Sequence, residues 1–158
     1  MTGVLLDTNI VSTFIKIDQL PLLASLFPNH SLTITGGVLE ELSAAGFLDV
    51  PLRVTYLTRD EATLLEILTR RYGFLGKGEL ECITICLSRS LRLLTNDRKA
   101  KTVARENNIG CWDLPEILRA MLLKGIIEKD QLRKIIRAIE TRDNIIFKNA
   151  DRLWGFDP

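Results

Sequence analysis

The sequence predicts an α/β/α sandwich, a single α/β domain built on a mainly parallel sheet. Three observations carry that prediction. Short aliphatic runs alternate with helix-length amphipathic segments along most of the chain, the pattern of strands joined by crossover helices. Two of those runs, "GVLLDTNI" and "LRLLTND", end in a carboxylate, at Asp7 and Asp97. Ligands of parallel sheets bind beyond the carboxyl ends of the strands. Finally, 158 residues that are 46% hydrophobic and 26% charged suit one domain, residues 1–158, with 128–158 a C-terminal helix and tail packed on it.

Taken in order, Val4 to Leu6 is a buried strand, followed by helices over Asn9–Ile17 and Leu20–Phe27. "SLTIT" (Ser31–Thr35) is a strand with alternating β-branched residues, and "GGVLEELSAAG" is a helix stopped by Gly46. "LRVTYLT" alternates with period two and reads as a third strand. Thr58 and Glu61 form a capping box that opens a helix reaching Arg71. The glycine-punctuated "GFLGKG" is a turn into the apolar helix "ELECITICLSRS". "LRLLT" (Leu91–Thr95) is the next strand, "RKAKTVAREN" an amphipathic helix and "IGCW" a short strand. Asp113 and Glu116 cap a helix that stops at Gly125, and a last helix spans Glu128 to Arg142 before an aromatic tail.

The net charge of +1 gives no case for a protein coated in nucleic acid, so any basic track must be local. Cys82, Cys86 and Cys111 stand in apolar contexts without zinc-type spacing. They read as reduced core thiols of a cytoplasmic protein rather than a disulfide framework. No signal peptide is read, because Asp7 interrupts the only candidate, and no run approaches the ~20 apolar residues of a membrane span. His30, the lone histidine, falls between elements and reads as a loop residue.

A strand aimed into a core that ends on Asp7 raises a physical problem, since a buried carboxylate needs a cation, donors or a metal ion beside it. Other acids can join it. On the helix after "GFLGKG", Glu79 lines up with Ile83 and Cys86 on the apolar stripe, whereas Glu81 follows Ile85 and Ser88 and reads as structural. On the preceding "GGVLEEL" helix, Glu41 falls at the edge of the apolar face and Glu40 points nearly opposite, which favours Glu41. Asp7, Glu41, Glu79 and Asp97 then converge at the strand ends. Four acids in one cleft raise one another's pKa unless a divalent cation supplies the counter-charge, and all-oxygen donors suit Mg²⁺ or Mn²⁺. Such an ion points to phosphoester hydrolysis.

"LLDTN", "VLEEL", "GELECI" and "LLTND", in that order and on those elements, resemble the PIN-domain nucleases. Glu79 and Asp97 are 18 apart (97 − 79), in keeping with the family's helix–strand–acid unit. The branch it looks like is the one with "GE-x-E" at the third acid, and the likeness covers about residues 3–127. The resemblance implies a Mg²⁺- or Mn²⁺-dependent ribonuclease acting on single-stranded RNA. It places Asp7, Glu41, Glu79 and Asp97 at the catalytic metal site, with Asn9 and Thr95 supporting the acids by hydrogen bonds. It also implies a toxin held inactive by an antitoxin protein, and a homodimer. "GCWDL", where relatives often have a Gly-Thr type turn, and the basic pair in "TNDRK" depart from the pattern.

Six basic residues (Arg89, Arg92, Arg98, Lys99, Lys101, Arg105) against Asp97 alone form a candidate track for RNA, with Arg98 and Lys99 nearest the site. Trp112, Trp154 and Phe156 could stack on bases but read more naturally as core or dimer contacts. A haloacid-dehalogenase-like phosphatase needs a second Asp where Asn9 stands, and a receiver domain needs an acid pair after the first strand. A non-catalytic binding module is the remaining alternative, disfavoured by the presence of all four acids.

Overall fold

Strands β1 (Val4–Leu6), β2 (Leu32–Thr35), β3 (Arg53–Thr55), β4 (Arg92–Leu94) and β5 (Cys111–Trp112) pair in the order β3-β2-β1-β4-β5. Every pair is parallel, with Leu5 opposite Thr33 on one side and Leu93 on the other. The structure is a computed structural model and describes residues 3–148, 150, 154 and 155. Strands this short bury almost nothing by themselves, so the core depends on the helices that flank the sheet. These are α1 (Thr8–Lys16), α2 (Leu20–Ser25), α3 (Gly36–Ala44), α4 (Arg59–Arg71), α5 (Lys77–Arg89), α6 (Arg98–Glu106), α7 (Leu114–Leu123) and α8 (Lys129–Arg142). The expected α/β/α architecture is present, with a wholly parallel sheet.

The chain leaves β1 toward β2 and β3 and later returns on the other side to β4 and β5, so the topological switch lies between β1 and β4. In parallel sheets the carboxyl edge at such a switch is the crevice where ligands bind. After β1, β2 and β5 a helix follows with almost no loop, because the residue that ends or follows the strand is also a helix cap. Asp7 caps α1, Thr35 caps α3 by accepting the Val38 N–H at 3.1 Å, and Asp113 caps α7 in a box with Glu116. Each cap satisfies one of the helix's orphan N–H groups and leaves the positive end of the dipole at the crevice.

α5 is buried continuously from Leu80 to Cys86 and packs on β1, β2 and β4. It starts at Lys77, two residues before the predicted start, because Gly76 takes an extended cap conformation (φ −67°, ψ 158°) and Gly78 lies inside the first turn. β3 is shorter than "LRVTYLT" suggested. As an edge strand it pairs only with β2, and Thr58 has become the α4 cap. Cys82, Cys86 and Cys111 are free and buried, as expected. No described helix is long and apolar enough to cross a membrane. Trp154 is buried against Phe147 (centroids 5.3 Å apart), and Trp112 lies beside Phe27 and under Arg92 at 4.1 Å. Both rings are thus engaged in contacts within the fold. Phe156 lies outside the described residues.

Arg89, predicted as part of a nucleic-acid track, serves the fold instead. Its guanidinium forks onto Glu61 (2.7 and 2.8 Å) and also donates to the Thr55 hydroxyl at 2.7 Å and the Tyr56 carbonyl at 2.8 Å. One side chain thereby ties the end of α5 to the start of α4 and to β3. The hydrogen bonds from Arg89 hold the buried Glu61 carboxyl down at about 2. Arg89→Ala is expected to cost about 2–3 kcal/mol, since it strands a buried carboxylate as well as losing charged hydrogen bonds. Because the folded value lies below the ordinary glutamate value of ~4.3, the pair's contribution is complete above that range and lost as pH falls toward about 2. Urea melts at pH 7 and in the acid range check both: the gap between wild type and Arg89→Ala narrows with acid.

Candidate active site

Asp7 is 3% exposed and uses both carboxylate oxygens. Oδ1 accepts the Thr8 N–H at 2.8 Å and Oδ2 accepts the Thr95 hydroxyl at 2.8 Å. Asp7 also donates its own N–H to the Leu94 carbonyl at 2.9 Å, which locks the end of β1 to β4. Thr95 then accepts the Asp97 N–H at 3.2 Å, so one buried hydroxyl links the two acids that terminate neighbouring strands. Asp97 caps α6 by accepting the Ala100 N–H at 2.8 Å.

Glu79 lies half-buried in the first turn of α5 and reaches back to accept the Gly76 N–H at 2.9 Å. Glu41, on the exposed side of α3, accepts the Thr8 hydroxyl in a short hydrogen bond. Its carboxylate lies over Gly78, where a Cβ would come 2.3 Å from Oε1. Glu40 is also exposed but has no such contact on this opening. The phase read from the sequence thus puts Glu41 on this side. Glu81 turns elsewhere: it is buried and accepts the Gly37 N–H at 2.9 Å, pinning the start of α3 to α5.

Asp7 and Glu79 feel the neighbouring acids. Burial pushes the Asp7 carboxyl above its usual value, and the Glu41 and Asp97 charges push it further, against the opposing hydrogen bonds from Thr95 and Thr8. Burial likewise raises Glu79, against the Gly76 N–H, with added contributions from Asp97 and Asp7. Among the described residues, however, no three His, Cys, Asp or Glu side chains stand arranged as they are to hold an ion. The reason is visible in the hydrogen bonds: each acid is turned toward a backbone N–H or a hydroxyl at a helix start. The donor set nonetheless fits a hard divalent cation. It is all carboxylate oxygen, and every oxygen engaged in a single hydrogen bond keeps further lone pairs.

Asn9, expected to support the acids directly, acts at one remove: its side-chain oxygen accepts the Asn96 N–H at 3.3 Å and steadies the turn that carries Asp97. The Asn96 side chain in turn accepts the Leu114 N–H at 3.3 Å. Thr8 and Gly78 had not been singled out in the sequence. Thr8 lay one residue beyond Asp7, and Gly78 directly before Glu79 inside a turn-like string, but their roles depend on Glu41, which is far away in sequence.

The predicted basic track divides. Lys101 is bonded to Asp113 at 2.6 Å and to Glu116, and those bonds hold its ammonium above its usual value although burial opposes the charge. Arg92 lies over Trp112. Arg98 and Lys99 are exposed in the first turn of α6, where the helix dipole disfavours cations by a few tenths of a kcal/mol. Their placement is not explained by fold stability.

The raised Asp7 carboxyl has a thermodynamic consequence. An unfolded aspartate titrates near ~3.9, so the native state is penalised once pH exceeds that range, and the penalty is absent in more acid solution. Asp7→Asn keeps a good capping side chain and removes the charge. It is expected to raise the melting temperature at pH 7 in EDTA, with the advantage fading toward pH ~4. A lower melting temperature for the variant at pH 7 would contradict the electrostatic reading.

Comparison with known proteins bears on the fold and the family. A family model described as "PIN domain" matches residues 3–150. Among solved structures, the crystal structure of VapBC2 from Rickettsia felis bound to a DNA fragment from their promoter matches with a TM-score of 0.53 and 18% sequence identity. The match covers 71% of this chain and 98% of the other. No curated protein sequence matches this chain significantly. With the family model spanning nearly the whole chain, and the acids set at the switch point of a parallel sheet, this chain belongs to the PIN-domain family.

Proposed function

We propose that this chain is a divalent-metal-dependent ribonuclease that hydrolyses phosphodiester bonds in single-stranded RNA, working in the cytoplasm as the toxin of a toxin–antitoxin pair. The observation that carries the reading is that the Thr95 hydroxyl joins Asp7 to Asp97 at the carboxyl edge of the sheet. There Asp7, raised by burial, is raised further by Glu41 and Asp97, and Glu79, raised by burial, is raised further by Asp97 and Asp7. Acids that oppose one another's ionisation are costly unless the site is built to receive positive charge. Family membership and the likeness to the VapBC2 structure support the assignment to this class of nuclease. The partner implied is an antitoxin protein, and a homodimer is the proposed assembly.

Asp7, Glu41, Glu79 and Asp97 would hold Mg²⁺ or Mn²⁺. Bound there, the ion would supply charge neutralisation at the phosphate and an activated water. The protein's part is positioning. Thr95 fixes Asp7 and the Asp97 backbone together, Thr8 orients Glu41, and the Gly76 N–H orients Glu79.

Cleavage of a mixed single-stranded RNA pool in Mn²⁺ tests the proposal, run beside Asp97→Asn and an EDTA control. Wild type is expected to cleave, EDTA to abolish cleavage, and Asp97→Asn to lose on the order of 100-fold or more, the scale of lost metal ligation or transition-state electrostatics. Equal activity in the variant would identify a contaminating nuclease, and absence of Mn²⁺ binding by wild type would favour a non-catalytic module. Gly78→Ala offers an independent check. Its methyl group displaces only the flexible end of Glu41, and alanine is the better helix former by about 1 kcal/mol. The variant is expected to stay folded with an unchanged or higher melting temperature, and to lose at least 10-fold in cleavage.

A further inference from the structure

A polyanionic strand that approaches the acidic edge carrying Asp7, Glu41, Glu79 and Asp97 must be held beside it by positive charge. We propose that the notch beside Asp97, between α6 and the start of α7, is a subsite for the phosphodiester backbone of the substrate strand, with Arg98 and Arg105 as its phosphate contacts. The subsite rests on the ribonuclease reading above.

Arg98, Thr102 and Arg105 follow one another at spacings of four and three, so they lie on a single line down α6. All three are exposed and line a notch of about 440 Å³ whose other walls include Asn96, Asp97 and Asp113. The line begins at the candidate catalytic acid and runs about 10 Å along the helix, at ~1.5 Å per residue. Thr102, short and with its hydroxyl donated to the Arg98 carbonyl at 3.0 Å, leaves the space between the two guanidinium groups clear.

The cations of the notch are not equally engaged. Lys101 is bonded to both Asp113 and Glu116, so Arg98 and Arg105 are the two that stand on its exposed edge without a close ion pair. Arg98 has no ion-pair partner among the described residues. Arg105 has only a 3.7 Å approach to Glu116, with both side chains substantially exposed, and such a contact gives way readily to a phosphate. Lys99 is exposed as well but does not line the notch, so of the adjacent basic pair it is Arg98 that faces the strand.

The test is the salt dependence of binding a short, fluorescently labelled single-stranded RNA in EDTA, with Mn²⁺ cleavage of the same RNA measured in parallel. Each phosphate neutralised contributes about −0.7 to the slope of log K against log salt for a single strand. Arg98→Ala and Arg105→Ala are each expected to shallow the slope by about 0.7, and the double variant by about 1.4. Arg98→Lys should restore the slope. Lys124→Ala, an equal loss of charge at the far end of α7, should leave it unchanged. An unchanged slope in the double variant, with a wild type that binds and cleaves, overturns the subsite and leaves the nuclease reading standing. A wild type that neither binds nor cleaves the RNA overturns both.

Discussion

Two donors hold the buried carboxylate of Asp7 in place. The Thr8 N–H and the Thr95 hydroxyl meet the two oxygens of Asp7, in a position where burial and the neighbouring Glu41 and Asp97 all oppose its charge. Everything around the crevice follows from that arrangement. Because Asp7 must be met by a helix start, α1 begins directly after β1. Because Thr95 must reach it from β4, the two central strands stay in register through Leu6 and Leu94. The same economy recurs at Asp97, which is both the end of a strand connection and the cap of α6. A parallel sheet gathers helix N-termini at one edge, and this chain uses those N–H groups to keep its acids in place.

α5 is the member that joins this edge to the rest of the fold. Its first turn carries Glu79 and the glycine over which Glu41 lies, its middle is buried on β1, β2 and β4, and its last residue is the Arg89 fork onto α4 and β3. Glu81 adds a cross-link to the start of α3. The relative positions of Glu41 and Glu79 are therefore set by buried packing rather than by loops, and rigid elements locate functional groups more closely than loops do.

Much of this was legible in the sequence, for definite reasons. The aliphatic runs ending at Asp7 and Asp97 marked the central strands because parallel strands buried on both faces read as continuous apolar stretches. The box at Thr58 and Glu61 and the stop at Gly46 were local signals with local causes, and Gly46 indeed has a positive φ of 91°. What could not be read was whatever joins distant segments. Arg89 counted as one more cation in a basic run, and only the folded chain places it on Glu61. Lys101 was lost to Asp113 and Glu116 in the same way. The start of α5 was set two residues late because glycine at position 78 reads as a turn, when it is there for the sake of a carboxylate on another helix. The four acids were nominated from helix phase and strand ends, but their hydrogen bonds to caps and hydroxyls, which turn them away from a common point, had no trace in the pattern.

The contact between Glu41 and Gly78 has a consequence for how such a sequence can change over time. Position 78 lies within a buried helix, where nearly any other residue would be a better helix former, so selection on folding alone would remove the glycine. A second helix, however, has placed a carboxylate in the volume that the first methyl group would fill. The two pressures meet at one hydrogen atom. A descendant chain released from its acidic site would be free to gain a side chain there and become the more stable for it. The residue at 78 then serves as a marker, readable without any assay, of whether the space above α5 is still kept for the acid of α3.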